Sequence, residues 1–168
     1  MISESIIGAL KILSERLGSL NLSWVLGGSV SLALQEVNVT PGDIDILTDK
    51  PSAYRINHLL KDCEVKPVEY QRSDTVQSHL GEFVINDVKV EVMGDYQEKV
   101  KGKWQDLNSR LTWPVILQFE GMHLPLSALS DQLYSYEALG RKQDKAKITA
   151  IREVLKSRQG AEEPRNQA

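Results

Sequence analysis

Two carboxylates stand at alternate positions in the run Asp43-Ile44-Asp45-Ile46. In a strand, side chains at i and i+2 share one face, so this spacing predicts Asp43 and Asp45 side by side with Ile44 and Ile46 buried behind them. Two like charges so placed repel unless a cation lies between them. Hard carboxylate oxygens suit Mg²⁺, which takes one or two protein carboxylates together with phosphate oxygens and water. An Asp-x-Asp by itself is equally a strand end with solvated acids. Upstream lies Gly27-Gly28-Ser29, after the short apolar run Ser23-Trp24-Val25-Leu26. A strand, then a glycine turn that lets backbone approach a ligand closely, then a helix over 29–36 capped by Ser29, would aim free N–H groups at an anion. Without a ligand the same pattern is a plain strand–turn–helix corner. A third acid, Glu91, sits in Val88-Lys89-Val90-Glu91-Val92-Met93. The alternation puts Lys89, Glu91 and Met93 on one face. An acid in mid-strand is costly if buried alone, and a cation shared with Asp43 and Asp45 would remove that cost.

The combination of Gly27-Gly28-Ser29, Asp43-Ile44-Asp45 and Glu91 resembles the signature of the polymerase β-like nucleotidyltransferase superfamily. Within it the short chain is similar to the small bacterial enzymes of the lincosamide and aminoglycoside adenylyltransferase type. Downstream, Gly140-Arg141-Lys142-Gln143-Asp144 is similar to a Gly-Arg-x-Lys-Asp segment of such relatives, with Gln143 where a lysine is usual. The resemblance implies an α+β, minimal nucleotidyltransferase fold: a mixed β-sheet with helices packed on one side and closing C-terminal helices. It implies catalytic and metal-ligating roles for Asp43, Asp45 and Glu91, with a two-metal Mg²⁺ site. It also implies nucleotide-binding roles for Gly27, Gly28, Ser29, Arg141, Lys142 and Lys145. The implied reaction moves a nucleoside monophosphate, AMP from ATP, to a hydroxyl of a small-molecule or protein acceptor and releases pyrophosphate, with Glu91 taking the hydroxyl proton. The alternative is a toxin–antitoxin component with a partner protein, or a nucleotide-binding module with little turnover.

Composition sets the bounds. At 168 residues, 41% hydrophobic and 26% charged, the chain has the make-up of one soluble globular domain. Residues 1–158 are expected to form it, with a polar, disordered tail over 159–168. The formal charge of −3 argues against broad affinity for nucleic acid or membrane, and favours a small acceptor over a polynucleotide. Cys63 is the single cysteine, which excludes an intrachain disulfide and fits a reducing cytoplasm. The N-terminus carries Glu4 and Glu15 and no long apolar run, so neither signal peptide nor membrane span is expected. His58, His79 and His123 lack ligand spacing.

The remaining elements must position those residues. Ile6, Leu10, Leu13 and Leu17 predict a first helix ending near Gly18. Pro51 suits the first turn of a second, with Tyr54, Ile56, Leu59 and Leu60 on its apolar side. A strand over 65–70 is expected to break early at Pro67. Strands over 79–85 and 88–93 should form a hairpin about Asn86-Asp87. The stretch 94–110 reads as a solvated loop or ragged helix. Two further strands are expected over 112–117 and 118–124, with Pro114 favouring a sheet edge. Ser127 is expected to cap a helix ending at Leu139 before Gly140, and Asp144 to open a last helix with Ile148, Ile151 and Leu155 inward.

Overall fold

A computed structural model describes residues 1–18 and 20–162. Helix α1 (Glu4–Gly18) buries Ile6, Ala9, Leu10, Leu13 and Leu17, the stripe its spacing predicts. Strand β1 (Trp24–Gly27) runs into α2 (Gly28–Leu34), and β2 (Ile44–Thr48) into α3 (Lys50–Leu59). Asp49 caps α3, its carboxylate accepting the Ser52 N–H at 2.7 Å, and Pro51 occupies the first turn. Then come β3 (Glu64–Arg72), β4 (Val76–Ile85), β5 (Val88–Val100), β6 (Lys103–Asp106), α4 (Asn108–Thr112), β7 (Val115–Phe119) and β8 (Met122–Leu126). Helices α5 (Leu129–Leu139) and α6 (Lys145–Glu162) close the chain.

The strands form one mixed sheet in the order β3-β4-β5-β2-β1-β8-β7, with β6 continuing alongside the end of β5. The mixed sheet and the closing C-terminal helices agree with the expected architecture. The sheet buries Ile44, Ile46, Val90 and Val92 against α1 and α3 in the main core. A second, smaller core of Leu32, Val37, Leu129, Tyr136 and Ile151 ties α2, α5 and α6 together. Two registers position the chemistry. Antiparallel β1–β2 pairing sets Gly27 opposite Asp45, and parallel β2–β5 pairing sets Asp45 beside Glu91. Because the alternation of each strand is fixed by its apolar core face, these pairings put the polar partners on the opposite face together.

Several local expectations are corrected. Helix α2 begins two residues earlier than a Ser29 cap requires. Gly27 is its cap residue, without a side-chain hydrogen bond, and Ser29 lies inside the first turn. Ala128, not Ser127, precedes α5; the Ser127 N–H instead donates to the Leu26 carbonyl at 2.9 Å, extending the β1–β8 contact. Pro67 does not break β3, because β3 is the sheet's edge strand and its pairing with β4 is irregular on both sides of the proline. The stretch 94–110 is ordered structure: β5 runs on to Val100, β6 pairs with it, and α4 follows. Helix α6 continues to Glu162, past the expected start of the tail; residues 163–168 of that tail lie outside the described residues.

Candidate active site

Asp43, one residue before β2, and Asp45 and Glu91, on adjacent strands, each present a carboxylate oxygen within 4.8 Å of the other two. All three line a cleft of about 490 Å³ whose opposite wall is α5. The crowding is visible in the charge of Asp45. Burial first, then the nearby charges of Asp43 and Glu91, push its carboxyl up to about 7, with Lys147 and Lys89 opposing the rise. Glu91 is answered on one side by Lys89, whose Nζ stands 2.7 Å from its Oε1. Three hard oxygen donors in mutual repulsion are what a divalent cation requires of a protein, so the residues present fit Mg²⁺.

The glycine corner meets the acids closely. Gly28 has φ +59°, and a Cβ there would collide with Asp45 Oδ2. The position therefore demands glycine twice over, for the left-handed backbone and for the space. From the other side, Gln132 of α5 donates through Nε2 to the Gly28 carbonyl at 3.2 Å. Gln35 Nε2 donates to the Ser127 carbonyl at 2.9 Å, so α2 is held to the β8–α5 connection by a buried hydrogen bond. Gly27, Gly28 and Ser29 all line the cleft.

The downstream basic cluster divides. Arg141 reaches the cleft; Lys142 and Lys145 are exposed and are not among its lining residues, whereas Lys147 is. Asp144 explains which cations face inward. Its carboxylate is completely buried, with Oδ2 2.7 Å from Arg141 Nε and Oδ1 3.8 Å from Lys147 Nζ. Lys147 also lies over the Tyr136 ring, 5.3 Å from its centroid. Burial, followed by the charges of Asp144 and Asp45, pushes the Tyr136 hydroxyl up to about 12, so it stays a proton donor at neutral pH.

Much of the cleft lining is not marked by any motif in the sequence. Tyr96, Glu98, Arg110, Gln132, Ser135 and Tyr136 all line it. On β5, one extra residue at Asp95, itself at φ +49°, bulges the strand: two β4 positions, Gln77 and His79, span Gln97 to Gly94. The bulge shifts the inward positions from odd to even, so Tyr96 and Glu98 join Glu91 and Met93 on the cleft face. On α5 a signal existed. Gln132, Ser135, Tyr136 and Leu139 follow the i, i+3, i+4, i+7 spacing of one helix face.

A mixed sheet that carries a glycine corner against an acid triad, closed by basic C-terminal helices, is the architecture of a nucleotidyltransferase, and this chain is one. It belongs to the aminoglycoside-2''-adenylyltransferase family, whose model matches residues 9–151. A solved structure of a protein assigned as a nucleotidyltransferase from Thermotoga maritima is 32% identical, covers 94% of this chain and 96% of its own, and superposes with a TM-score of 0.80. The antibiotic-resistance factor ANT(2'')-Ia, solved with adenylyl-2''-tobramycin, is 15% identical over 90% of this chain and 86% of its own, with a TM-score of 0.51. That likeness is one of fold. No curated protein matches the chain. Among the described residues no helix is long and apolar enough to cross a membrane.

Proposed function

We propose that the protein transfers a nucleoside monophosphate, AMP from ATP, to a hydroxyl group of a small acceptor and releases pyrophosphate, in a Mg²⁺-dependent reaction. The observation that carries this reading is the meeting of Asp43, Asp45 and Glu91 within 4.8 Å beside the Gly27-Gly28 corner. Those three carboxylates would hold the metal, in a one- or two-ion site. Bound there, Mg²⁺ supplies charge neutralisation at the phosphates and acidifies the acceptor hydroxyl. Ser29 and the free N–H groups of the first turn of α2 bind the terminal phosphates. Arg141 and Lys147, aimed by Asp144, add two positive charges on the same side; Lys142 and Lys145 contribute only long-range field. Glu91 accepts the proton as the acceptor oxygen bonds to the α-phosphorus and the bond to the bridging oxygen of the pyrophosphate breaks. Removing Glu91 as base leaves the phosphate contacts in place.

Family membership makes an amino-sugar alcohol the first acceptor class to try, and the negative net charge favours a small acceptor of this kind over a polynucleotide. The test is incubation of the full chain with α-labelled ATP, MgCl₂ and a panel of hydroxylated acceptors, amino sugars included, following labelled product and pyrophosphate. The expected result is transfer by the wild type and its loss in Glu91→Gln with nucleotide affinity retained. Tight Mg²⁺-dependent ATP binding with no pyrophosphate from any acceptor would leave a binding module and overturn the proposal.

A further inference from the structure

The cleft does not end at the acids. Past Glu91, its floor continues along Leu47 and Met93 to Tyr96 and Glu98, under Gln132 and Tyr136 of α5. Two acceptor atoms in this wall have no hydrogen-bond partner among the described residues: Glu98 Oε2 and Gln132 Oε1. Both side chains belong to residues only 2% exposed. A buried oxygen left without a donor is costly, more so when it is a carboxylate, and a ligand N–H placed there would remove the cost.

The charge of the wall narrows the ligand. Arg110, 6% exposed, lines the same cleft as Glu98. Its guanidinium donates to the Asp131 carbonyl at 2.7 Å and to the Ser135 hydroxyl. Glu98 thus shares its cleft with a buried guanidinium, and a wall that already holds a cation favours a neutral donor over an ammonium. Met93, Leu47 and the Tyr96 and Tyr136 rings line the same stretch of the cleft, and apolar and aromatic side chains of this kind suit a planar group.

We infer that this end of the cleft is the nucleobase subsite, in which Glu98 and Gln132 accept hydrogen bonds from an amino-bearing base of the donor nucleotide. The inference rests on the proposed placement of the triphosphate at the glycine corner. Two residues that neither the acid triad nor the basic cluster includes would then select the donor.

The experiment compares binding of tripolyphosphate and of two nucleotide pairs to the full chain in MgCl₂. The pairs are ATP with purine riboside triphosphate, and GTP with inosine triphosphate; the second member of each lacks the exocyclic amino group. The expected result is a preference of about tenfold or more for the amino-bearing member of at least one pair. In Glu98→Leu that preference disappears, while tripolyphosphate affinity stays within about twofold of the wild type. Equal affinity within both pairs for the wild-type protein would overturn the inference even if the variant did not fold. So would a preference that survives in Glu98→Leu. Failure of tripolyphosphate itself to bind would instead remove the underlying placement of the phosphates, which separates the two ideas.

Discussion

Asp45→Asn is expected to make the metal-free protein more stable while destroying its activity. The folded protein raises the Asp45 carboxyl from 3.8 to about 7, a shift of about three pH units. At about 1.4 kcal/mol per unit this is on the order of 4 kcal/mol of unfavourable interaction with the ionised form. An asparagine keeps part of the burial penalty and loses the charge repulsion, so the net gain is about 1–3 kcal/mol. The pH dependence follows from the direction of the shift. The folded wild type holds a proton that the unfolded chain has released, so its stability falls as pH rises from about 4 to about 7. The gap between variant and wild type should therefore be near zero at pH 4 and full at pH 8. Urea denaturation in EDTA at both pH values measures it. Added MgCl₂ should raise the wild-type midpoint and leave that of Asp45→Asn nearly unchanged. A variant no more stable than wild type at pH 8 in EDTA would refute the charge-crowding argument. Equal stabilisation of both proteins by MgCl₂ would refute the metal site.

Gly28→Ala should destabilise the fold by about 1–2 kcal/mol through its positive φ alone, and should abolish transfer by driving the Asp45 carboxylate from its place; thermal unfolding and an activity assay read the two effects. Asp144→Asn should raise the KM for the triphosphate donor more than it lowers kcat, because Arg141 and Lys147 lose the buried anion that aims them. A stability loss of about 1–3 kcal/mol should accompany it, and a kcat-only defect would argue against the aiming role.

The reacting half of the site was legible because its determinants are local. Asp43 and Asp45 sit at strand spacing, Glu91 sits in an unbroken alternation, and Gly27-Gly28 has few uses other than a tight corner. Once the apolar faces were assigned, the sheet could bring the acids together in only one sense. The other half was hidden for physical reasons. The bulge at Asp95 interrupts the two-residue period, so Tyr96 and Glu98 fall out of phase with Glu91. Arg110 stands in a five-residue helix, too short to leave a periodic trace, amid mixed charges. Lys147 and Lys142 are indistinguishable in sequence; only the burial of Asp144 decides which of them turns inward. The inward stripe of α5 could have been found by counting its polar residues at helical spacing. Ser29 is not the cap because the turn at Gly28 already starts the helix, leaving the serine two places past the cap position.

The bulge in β5 divides one strand into two workplaces. Residues before it are locked by β2 into the spacing that the reaction demands, whereas residues after it answer to β6 and α5 instead. Substitutions beyond the kink can thus alter which molecules are admitted without disturbing the distances among the acids. A lineage built on this scaffold is free to change clients while its chemistry stays put.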